Sequence, residues 1–422
     1  MVRGMTAASS EPYLVISADC HAGLPTEQYR PYVDPERREA FDQALAERER
    51  LSVTRSVSNK EFADRWFGEN MEGIRGAWDG ARRDKELDAD GVVGEIIFPD
   101  ADAVTGFTGA PFGAGLGSTG RLDPQAALAG ARAHNRWLAE LCAENPQRRV
   151  GVAIVPVLED PRATVREVEW AAKNGLRAVM IPAMWAPYPA YHDARYDPFW
   201  AACADAALPV HVHSGPAQHE EYGPYIALYL TELRWWASRP LWFLIWSGVF
   251  ERHPKLKFGV TENGAFWVPD LLWLMDTRYA HAHTSKKMSR EAIVGPLKMC
   301  PSEYFDRNCF VGASTPERLE LERRYLIGVD NLLWGNDFPH PEGTWPHTRD
   351  WLRRVFHDIP IDETRRILGL NAAEVYGFDL EALGELARKV GPTPADLGQL
   401  DHAGNRERWA AAASSGRFWL KP

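Results

Sequence analysis

The segment LPVHVH (residues 208–213) points to the fold, because it is a short apolar run that ends in histidine and is followed by Ser214 and Gly215. A run of this length and composition is typical of a buried β-strand. Similar runs recur at residues 14–18, 92–98, 150–156, 176–182, 256–262, 308–313 and 332–337. Together with 208–213 they predict eight strands.

The stretches between these runs have helical composition. Helices are predicted at 124–144, 161–173, 198–206, 239–252, 266–280, 316–326 and 347–356. Three of them begin at an Asp-Pro pair, which supplies an N-cap and a proline suited to the first helical turn. Apolar strands that alternate with helices predict a parallel sheet, and eight such units predict a closed (β/α)8 TIM barrel of the α/β class. A doubly wound open sheet is the alternative.

The predicted barrel spans residues 13–378 and follows a flexible tail at 1–12. Its first connection, 22–91, is long, polar and partly helical, so we interpret it as an insertion over the barrel mouth and a candidate lid. Residues 379–422 carry mixed charge and are predicted to form a C-terminal extension. A homodimer is expected, with the insertion or the extension as the contact.

Composition argues against several classes of function. The net charge of −10, with dispersed basic residues, argues against nucleic-acid binding. No apolar run is long enough to span a membrane, and the first residues lack the apolar core of a signal peptide. The 5 cysteines show no CxxC spacing, which is typical of reduced thiols. These observations predict a cytoplasmic protein that acts on a small molecule.

Barrel enzymes carry their reactive groups where the strands end. Four of the predicted strands end in residue types that bind metals. These candidate metal ligands are Asp19 and His21 after strand one, His211 and His213 in strand five, Glu262 in strand six, and Asp337 and His340 at strand eight. The sequence therefore predicts a metal centre at the carboxyl ends of the strands.

Alternation along an extended chain selects among these residues. Residues two apart point to the same side, so Asp19 and His21 can reach one ion while Cys20 points elsewhere. His213 is the preferred ligand of the second pair because it lies at the strand end. His211 lies one step deeper in the barrel, either as a ligand or as a residue that orients one.

The segments that carry these residues resemble a known family. ISADCHAG (16–23), LPVHVHSG (208–215), VTENGAFWVPDLLW (260–273) and LLWGNDFPHPEGTWP (332–346) are similar to segments of the amidohydrolase-related barrels. That family includes aminocarboxymuconate semialdehyde decarboxylase and the resorcylate decarboxylases. The resemblance implies one divalent metal held by residues of strands one, five and eight, and a catalytic histidine on strand six. This chain departs from the pattern twice, with Asp19 in place of the first histidine or glutamate and Glu262 in place of the strand-six histidine.

A carboxylate-rich branch of the same superfamily is also similar in its D-x-H pair, its strand-six glutamate and its NDFPHPEGT run. It contains oxygen-activating enzymes with two iron ions, or manganese and iron, such as the hydroxylase of platensimycin and platencin biosynthesis and an aminoisobutyrate hydroxylase. The charges of Asp19, Glu262 and Asp337 point the same way, because three carboxylates balance two divalent ions better than one. Oxygen-rich ligand sets also favour iron or manganese over zinc.

The leading hypothesis is therefore a dinuclear iron, or mixed manganese and iron, monooxygenase that hydroxylates an unactivated carbon of an organic acid. The resemblance implies that its partners are dioxygen and a small-molecule acid or acyl coenzyme A substrate. In this interpretation Asp19, His21, His213 and Asp337 hold one ion, and Glu262 and His340 contribute to the second. The catalytic candidates are Glu262, Asp337 and His340.

Two other hypotheses remain open. One is a mononuclear zinc- or manganese-dependent hydrolase or decarboxylase, in which Glu262 or Asp337 moves the proton. The other is a barrel that has lost catalysis and acts as a structural partner of an active relative. The number and identity of the bound metal ions separate the first hypothesis from these two.

Overall fold

Eight short apolar segments pair as parallel strands in the order in which they occur in the chain. The computed structural model describes residues 10–52, 60–100, 108–117, 123–156, 160–183, 188–215, 222–223, 225–282 and 287–398. The strands are β1 (Ile16–Ala22), β2 (Gly94–Pro99), β3 (Arg149–Ile154), β4 (Ala178–Met180), β5 (Val210–His213), β6 (Phe258–Thr261), β7 (Cys309–Gly312) and β8 (Leu332–Leu333). Each strand pairs with the next, in the order β1-β2-β3-β4-β5-β6-β7-β8.

The barrel closes between β8 and β1. The backbone N–H of Asp337 donates to the carbonyl of Asp19 at 2.9 Å, and that of His21 donates to the carbonyl of Phe338 at 2.7 Å. The segment that follows β8 therefore lies along β1 and completes the ring of strands. The predicted (β/α)8 barrel is confirmed.

Helices connect the strands on the outside of the barrel. The α-helices of the described residues are α1 (Arg38–Ser52), α2 (Lys60–Ile74), α3 (Gly80–Asp90), α4 (Pro124–Glu144), α5 (Pro161–Lys173), α6 (Asp197–Asp205), α7 (Ile226–Trp246), α8 (Val249–Arg252), α9 (Trp267–His281), α10 (Arg290–Val294), α11 (Pro301–Asn308), α12 (Arg318–Glu322), α13 (Arg324–Ile327), α14 (Thr348–Phe356), α15 (Ile361–Arg365), α16 (Asn371–Tyr376) and α17 (Leu380–Val390). The bounds of α4 and α5 match the prediction. Helix α7 begins at Ile226, well before the predicted residue 239. Pro240 therefore lies in its interior and does not mark its start.

The observed bounds of β1 and β8 differ from the predicted ones, and both strands carry residues of the site. Strand β1 was predicted at 14–18 but runs from Ile16 to Ala22, so Asp19 and His21 lie within the strand. Strand β8 was predicted to reach 337 but pairs with β7 only at Leu332–Leu333. Beyond it the chain turns away from β7, and Asp337 adopts a left-handed backbone with φ 57°.

The predicted insertion, 22–91, contains the first helix of the barrel as well as added structure. Helix α3 connects to β2; Asp79 caps its first turn by accepting from the N–H of Arg82, and Gly91 ends it at φ 83°. The added part begins with a 3₁₀ helix, Thr26–Tyr32, and continues with α1 and α2. It contacts the barrel through Tyr29, whose hydroxyl lies 2.9 Å from Nδ1 of buried His134. A lid function for this segment stays a prediction.

The C-terminal extension begins with α17. The N–H of Tyr13, ahead of β1, donates to the carbonyl of Pro392 at 2.8 Å, and α17 buries its own Leu383 and Ala387. The predicted tail at 1–12 and the extension at 379–422 both reach beyond the described residues, which run from 10 to 398 at the two ends. The homodimer and its contact stay predictions. Across the described parts of the chain, every helix is too short or too polar to cross a bilayer.

A buried ion pair fixes α3 to β2. The guanidinium of Arg83 donates to both carboxylate oxygens of Glu95, with contacts from 2.6 to 2.9 Å, and both residues are fully buried. Arg83 also donates to the backbone carbonyl of His21 at 2.9 Å. The helix is thereby anchored to a strand that carries a candidate metal ligand.

Glu95→Gln should therefore destabilise the fold, because it leaves the Arg83 charge buried without its partner. We expect a loss of about 3–5 kcal/mol in the free energy of unfolding, measured by urea denaturation. The double variant Arg83→Met/Glu95→Gln removes both charges and should recover part of that loss. Equal stability of the single variant and the wild type would contradict a structural role for the pair.

Candidate metal centre

The predicted ligands from four strands meet at the carboxyl end of the barrel. Asp19 Oδ1 lies 3.2 Å from His213 Nε2 and 3.4 Å from His21 Nε2. Asp337 Oδ1 lies 3.2 Å from His21 Nε2 and 3.1 Å from Nδ1 of His340. These five side chains are at most 2% exposed. The site is a buried cluster of imidazoles and carboxylates, as the strand-end argument predicts.

Asn336 sets the position of Asp337 against β1. Its side-chain oxygen accepts from the Ser17 hydroxyl at 2.9 Å and from the Cys20 thiol at 3.2 Å. Gly335 packs directly on β1, because a Cβ there would lie 2.7 Å from the Cβ of Asp19. Both contacts hold the end of β8 close to β1, so the carboxylates of Asp19 and Asp337 face the same point.

Each histidine of the cluster commits one ring nitrogen to an acceptor. His21 Nδ1 lies 2.9 Å from the Pro99 carbonyl, and His213 Nδ1 lies 2.9 Å from the Ser214 carbonyl. His340 Nε2 lies 3.0 Å from the carboxylate of Asp100. A nitrogen beside such an acceptor carries the ring proton, so the other nitrogen of each ring keeps its lone pair. In the neutral rings, all three lone pairs can bind a metal ion.

Four buried polar atoms of this cluster have no hydrogen-bond partner in the described part of the chain. They are Asp19 Oδ2, His21 Nε2, Asp337 Oδ1 and His340 Nδ1. Buried polar atoms are normally satisfied, so a group of four at one point requires a common partner. Nitrogen and carboxylate ligands of this kind suit a divalent transition metal. The residues therefore fit a metal ion.

Glu262 lies at the solvent side of the cluster. It follows β6 with a left-handed backbone (φ 51°), and its Oε2 is 3.4 Å from His213 Nδ1. The side chain is 26% exposed, unlike the other members. Burial of its carboxyl group, together with the charge of Asp337, raises the pKa of Glu262 to about 7. Glu262 can therefore hold a proton near neutral pH.

The charges of the cluster also affect His21. Burial and the neighbouring His340 lower the pKa of His21, but Asp19 and Asp337 outweigh them and raise it to about 10. A metal ion and a proton compete for the same lone pair of His21. Binding of the metal therefore displaces protons from the cluster.

The structure corrects the prediction for His211. Its Nδ1 lies 3.1 Å from the Thr261 hydroxyl, and its Nε2 lies 3.1 Å from the Tyr376 hydroxyl, so both nitrogens are engaged. The ring stacks on Tyr376 at 5.9 Å between centroids. Burial lowers the pKa of His211 to about 3, so it is neutral. His211 packs inside the barrel and does not face the metal cluster.

Some residues of the site were missed from the sequence. Asp100 and Asn336 hold ligands in place, and the exposed Glu342 brings a carboxylate oxygen within 4.8 Å of those of Glu262 and Asp337. Glu342 lies in the NDFPHPEGT run, which is the one signal that could have found it. Asp100 directly follows β2 but lies beyond the predicted end of strand two at residue 98, so it was assigned to no site.

Two histidines of β5 give a matched test of these assignments. We expect His213→Asn to reduce bound manganese by most of one equivalent per chain, because it removes a lone pair directed at the cluster. His211→Asn should keep the bound metal, since neither of its nitrogens faces the site. Elemental analysis after dialysis measures both, and equal metal contents in the two variants would contradict the assignment.

Curated relatives match this chain in sequence, and solved structures share its fold. The chain is 26% identical over 273 residues to a gamma-resorcylate decarboxylase of Rhodococcus jostii, covering 59% of this chain and 77% of the relative. A gamma-resorcylate decarboxylase of a Rhizobium species is 25% identical over 278 residues, covering 61% and 79%. The 5-carboxyvanillate decarboxylase of Sphingomonas paucimobilis superposes with a TM-score of 0.60 at 21% identity, covering 86% and 99%. That of Novosphingobium aromaticivorans, a mutant with bound manganese, gives 0.63 at 18% identity, covering 86% and 97%.

These relatives overturn the leading functional hypothesis. The expectation of a dinuclear iron monooxygenase is wrong, because the curated relatives are decarboxylases. The expected dioxygen and acyl coenzyme A partners depended on that hypothesis and lose their support with it. The charge argument for two ions rested on the number of carboxylates, and that number alone does not specify the reaction. The coarser prediction of a metal-dependent barrel enzyme is supported by the same relatives.

The family follows from the length of the match. A model of the amidohydrolase family matches residues 18–378, which include every strand that contributes to the site except the first residues of β1. The fold, the cluster and the match agree over the whole barrel. The chain belongs to the amidohydrolase family.

Proposed function

We propose that this protein is a divalent-metal-dependent decarboxylase that acts on a small aromatic carboxylic acid without oxygen. The observation that carries the proposal is the group of four unsatisfied buried atoms, which gather at the carboxyl end of the barrel. The gamma-resorcylate decarboxylases, which are relatives at 25–26% identity, support the reaction class.

One manganese or zinc ion is the proposed cofactor. Asp19, His21, His213 and Asp337 would hold it, and His340 would add a fifth donor. When bound, such an ion acts as a Lewis acid that polarises an oxygen atom of the substrate. Manganese is favoured because three of the similar solved structures contain it, and a mixed set of carboxylates and imidazoles can bind it.

Glu262 is the proposed proton donor. Loss of carbon dioxide from an aromatic acid requires a proton to reach the ring carbon that bears the carboxylate. The O–H bond of Glu262 breaks and a C–H bond forms; the C–C bond to the carboxylate then breaks, and its electron pair returns to the ring as CO₂ leaves. Glu262 is suited to this step because it is partly exposed, has a pKa of about 7 and recovers its proton from water.

An apolar pocket lies at the ends of β3 and β4, beside Ala114 and Gly115. This pocket is lined by Ala114, Gly115, Ala127, Ile154, Pro156, Met180, Ile181 and Pro182. Apolar walls suit an aromatic ring and limit the access of water to a reacting carbon. We therefore place the ring of the substrate in this pocket and its carboxylate towards the metal cluster.

The reaction is tested by CO₂ release under argon. We expect manganese-loaded protein to release CO₂ from at least one hydroxylated benzoic acid, such as 2,6-dihydroxybenzoate or 5-carboxyvanillate, at the same rate with and without oxygen. The metal-free protein is the control and should be inactive. Turnover that requires oxygen, or hydrolysis of amides without CO₂ release, would overturn the proposal.

The role of Glu262 is tested by Glu262→Gln, which keeps the shape but removes the transferable proton. We expect kcat to fall by about 10²–10⁴-fold with bound manganese unchanged. Glu169→Gln, an exposed carboxylate on α5, is the matched control and should leave both quantities unchanged. Loss of the metal in Glu262→Gln would identify Glu262 as a ligand and not as the donor.

A further inference from the structure

His340 is held from behind by a buried carboxylate. Asp100, at the end of β2, is 1% exposed, and its Oδ1 lies 3.0 Å from His340 Nε2. The other ring nitrogen of His340, Nδ1, has no hydrogen-bond partner in the described chain and lies 3.1 Å from Asp337 Oδ1. The imidazole therefore connects Asp100 on one side with the metal cluster on the other.

Asp100 is itself fixed by its surroundings. Its backbone N–H donates to the carbonyl of Ala22, at the end of β1, at 3.1 Å. Its second carboxylate oxygen accepts from the hydroxyl of Thr108. Gly23 packs against both side chains, because a Cβ there would lie 3.3 Å from the Cβ of Asp100 and 3.4 Å from that of Thr108. The carboxylate has little freedom to turn away from His340.

We propose that Asp100 is a positioning residue that makes His340 a metal ligand. An acceptor at Nε2 keeps the ring proton on that nitrogen and leaves the lone pair of Nδ1 directed at the cluster. A charged acceptor also makes the imidazole a stronger donor to the metal, as in carboxylate–histidine–metal arrangements. The inference concerns metal binding, so it rests on the metal centre of the proposed function but not on the reaction.

The same contacts extend to the inserted segment. Thr108 pairs through its backbone with Pro25, which lies just before the 3₁₀ helix Thr26–Tyr32. Thr108 therefore contacts both the start of the insertion and the carboxylate of Asp100. Thr108 thus contributes to metal affinity through Asp100.

Substitutions at Asp100 test the proposal through metal affinity without any substrate. We expect Asp100→Asn to weaken Mn²⁺ binding about 10-fold and Asp100→Ala to weaken it about 100-fold, measured by competition with a chelating dye. Asp276→Asn and Asp276→Ala are matched controls, because Asp276 is also a fully buried aspartate but accepts from the N–H of Ser302 away from the site. These controls should lose stability but keep the wild-type affinity.

A double variant separates positioning from a general structural effect. If Asp100 acts through His340, then His340→Ala/Asp100→Ala should bind Mn²⁺ no more weakly than His340→Ala alone. Losses that add, or an affinity in Asp100→Ala equal to that of the wild type, would overturn the proposal.

Thr108→Val provides a milder variant should Asp100→Ala fail to fold. It keeps the shape of the side chain but removes the hydroxyl donor to Asp100, so we expect a several-fold loss of affinity. Co²⁺-loaded protein adds a spectroscopic measurement, because loss of one nitrogen donor changes its visible absorption. Unchanged affinity and an unchanged spectrum in Thr108→Val would contradict the proposal. If the unmodified protein binds Mn²⁺ but releases no CO₂, that result counts against the proposed reaction and not against the role of Asp100.

Discussion

The seam between β8 and β1 is the constraint on which the candidate site depends. Backbone hydrogen bonds from Asp337 and His21 close the barrel there, and Asn336 ties the same segment to the interior of β1. Gly335 permits the close approach of the two chains. The contacts that complete the fold are therefore the contacts that bring two carboxylates and an imidazole together, so closure of the barrel and assembly of the site are one event.

The three imidazoles of the cluster are oriented in the same way. Each imidazole is oriented by an acceptor on the side away from the centre, and these acceptors are main-chain carbonyls for His21 and His213 but a carboxylate for His340. Main-chain acceptors move only with the barrel. The carboxylate behind His340 is the side chain of Asp100, which also contacts Thr108 near the inserted segment. The position of His340 therefore depends on that segment, whereas the positions of His21 and His213 depend on the barrel backbone.

Much of this could be predicted from the sequence, and the failures have physical causes. Periodicity identified all eight strands, because each parallel strand is a continuous apolar run. It misplaced the ends of β1 and β8, where polar ligands replace apolar residues inside the paired segment. His211 was wrongly included among the candidate metal ligands, because alternation predicts which side of a strand a residue faces but not how deep in the barrel it lies. The functional hypothesis failed because the number of carboxylates in a site does not specify its reaction, and the curated relatives are decarboxylases.

The four unsatisfied atoms have a consequence for the life of the protein in the cell. A cluster that gathers buried carboxylates and imidazoles around one point is costly to keep without a cation, whereas an ion that binds only the folded chain stabilises it by mass action. The folded population then depends on the free concentration of that ion. Scarcity of the metal would lower the abundance of the protein as well as its activity, since chains without the ion unfold more often and are exposed to proteases.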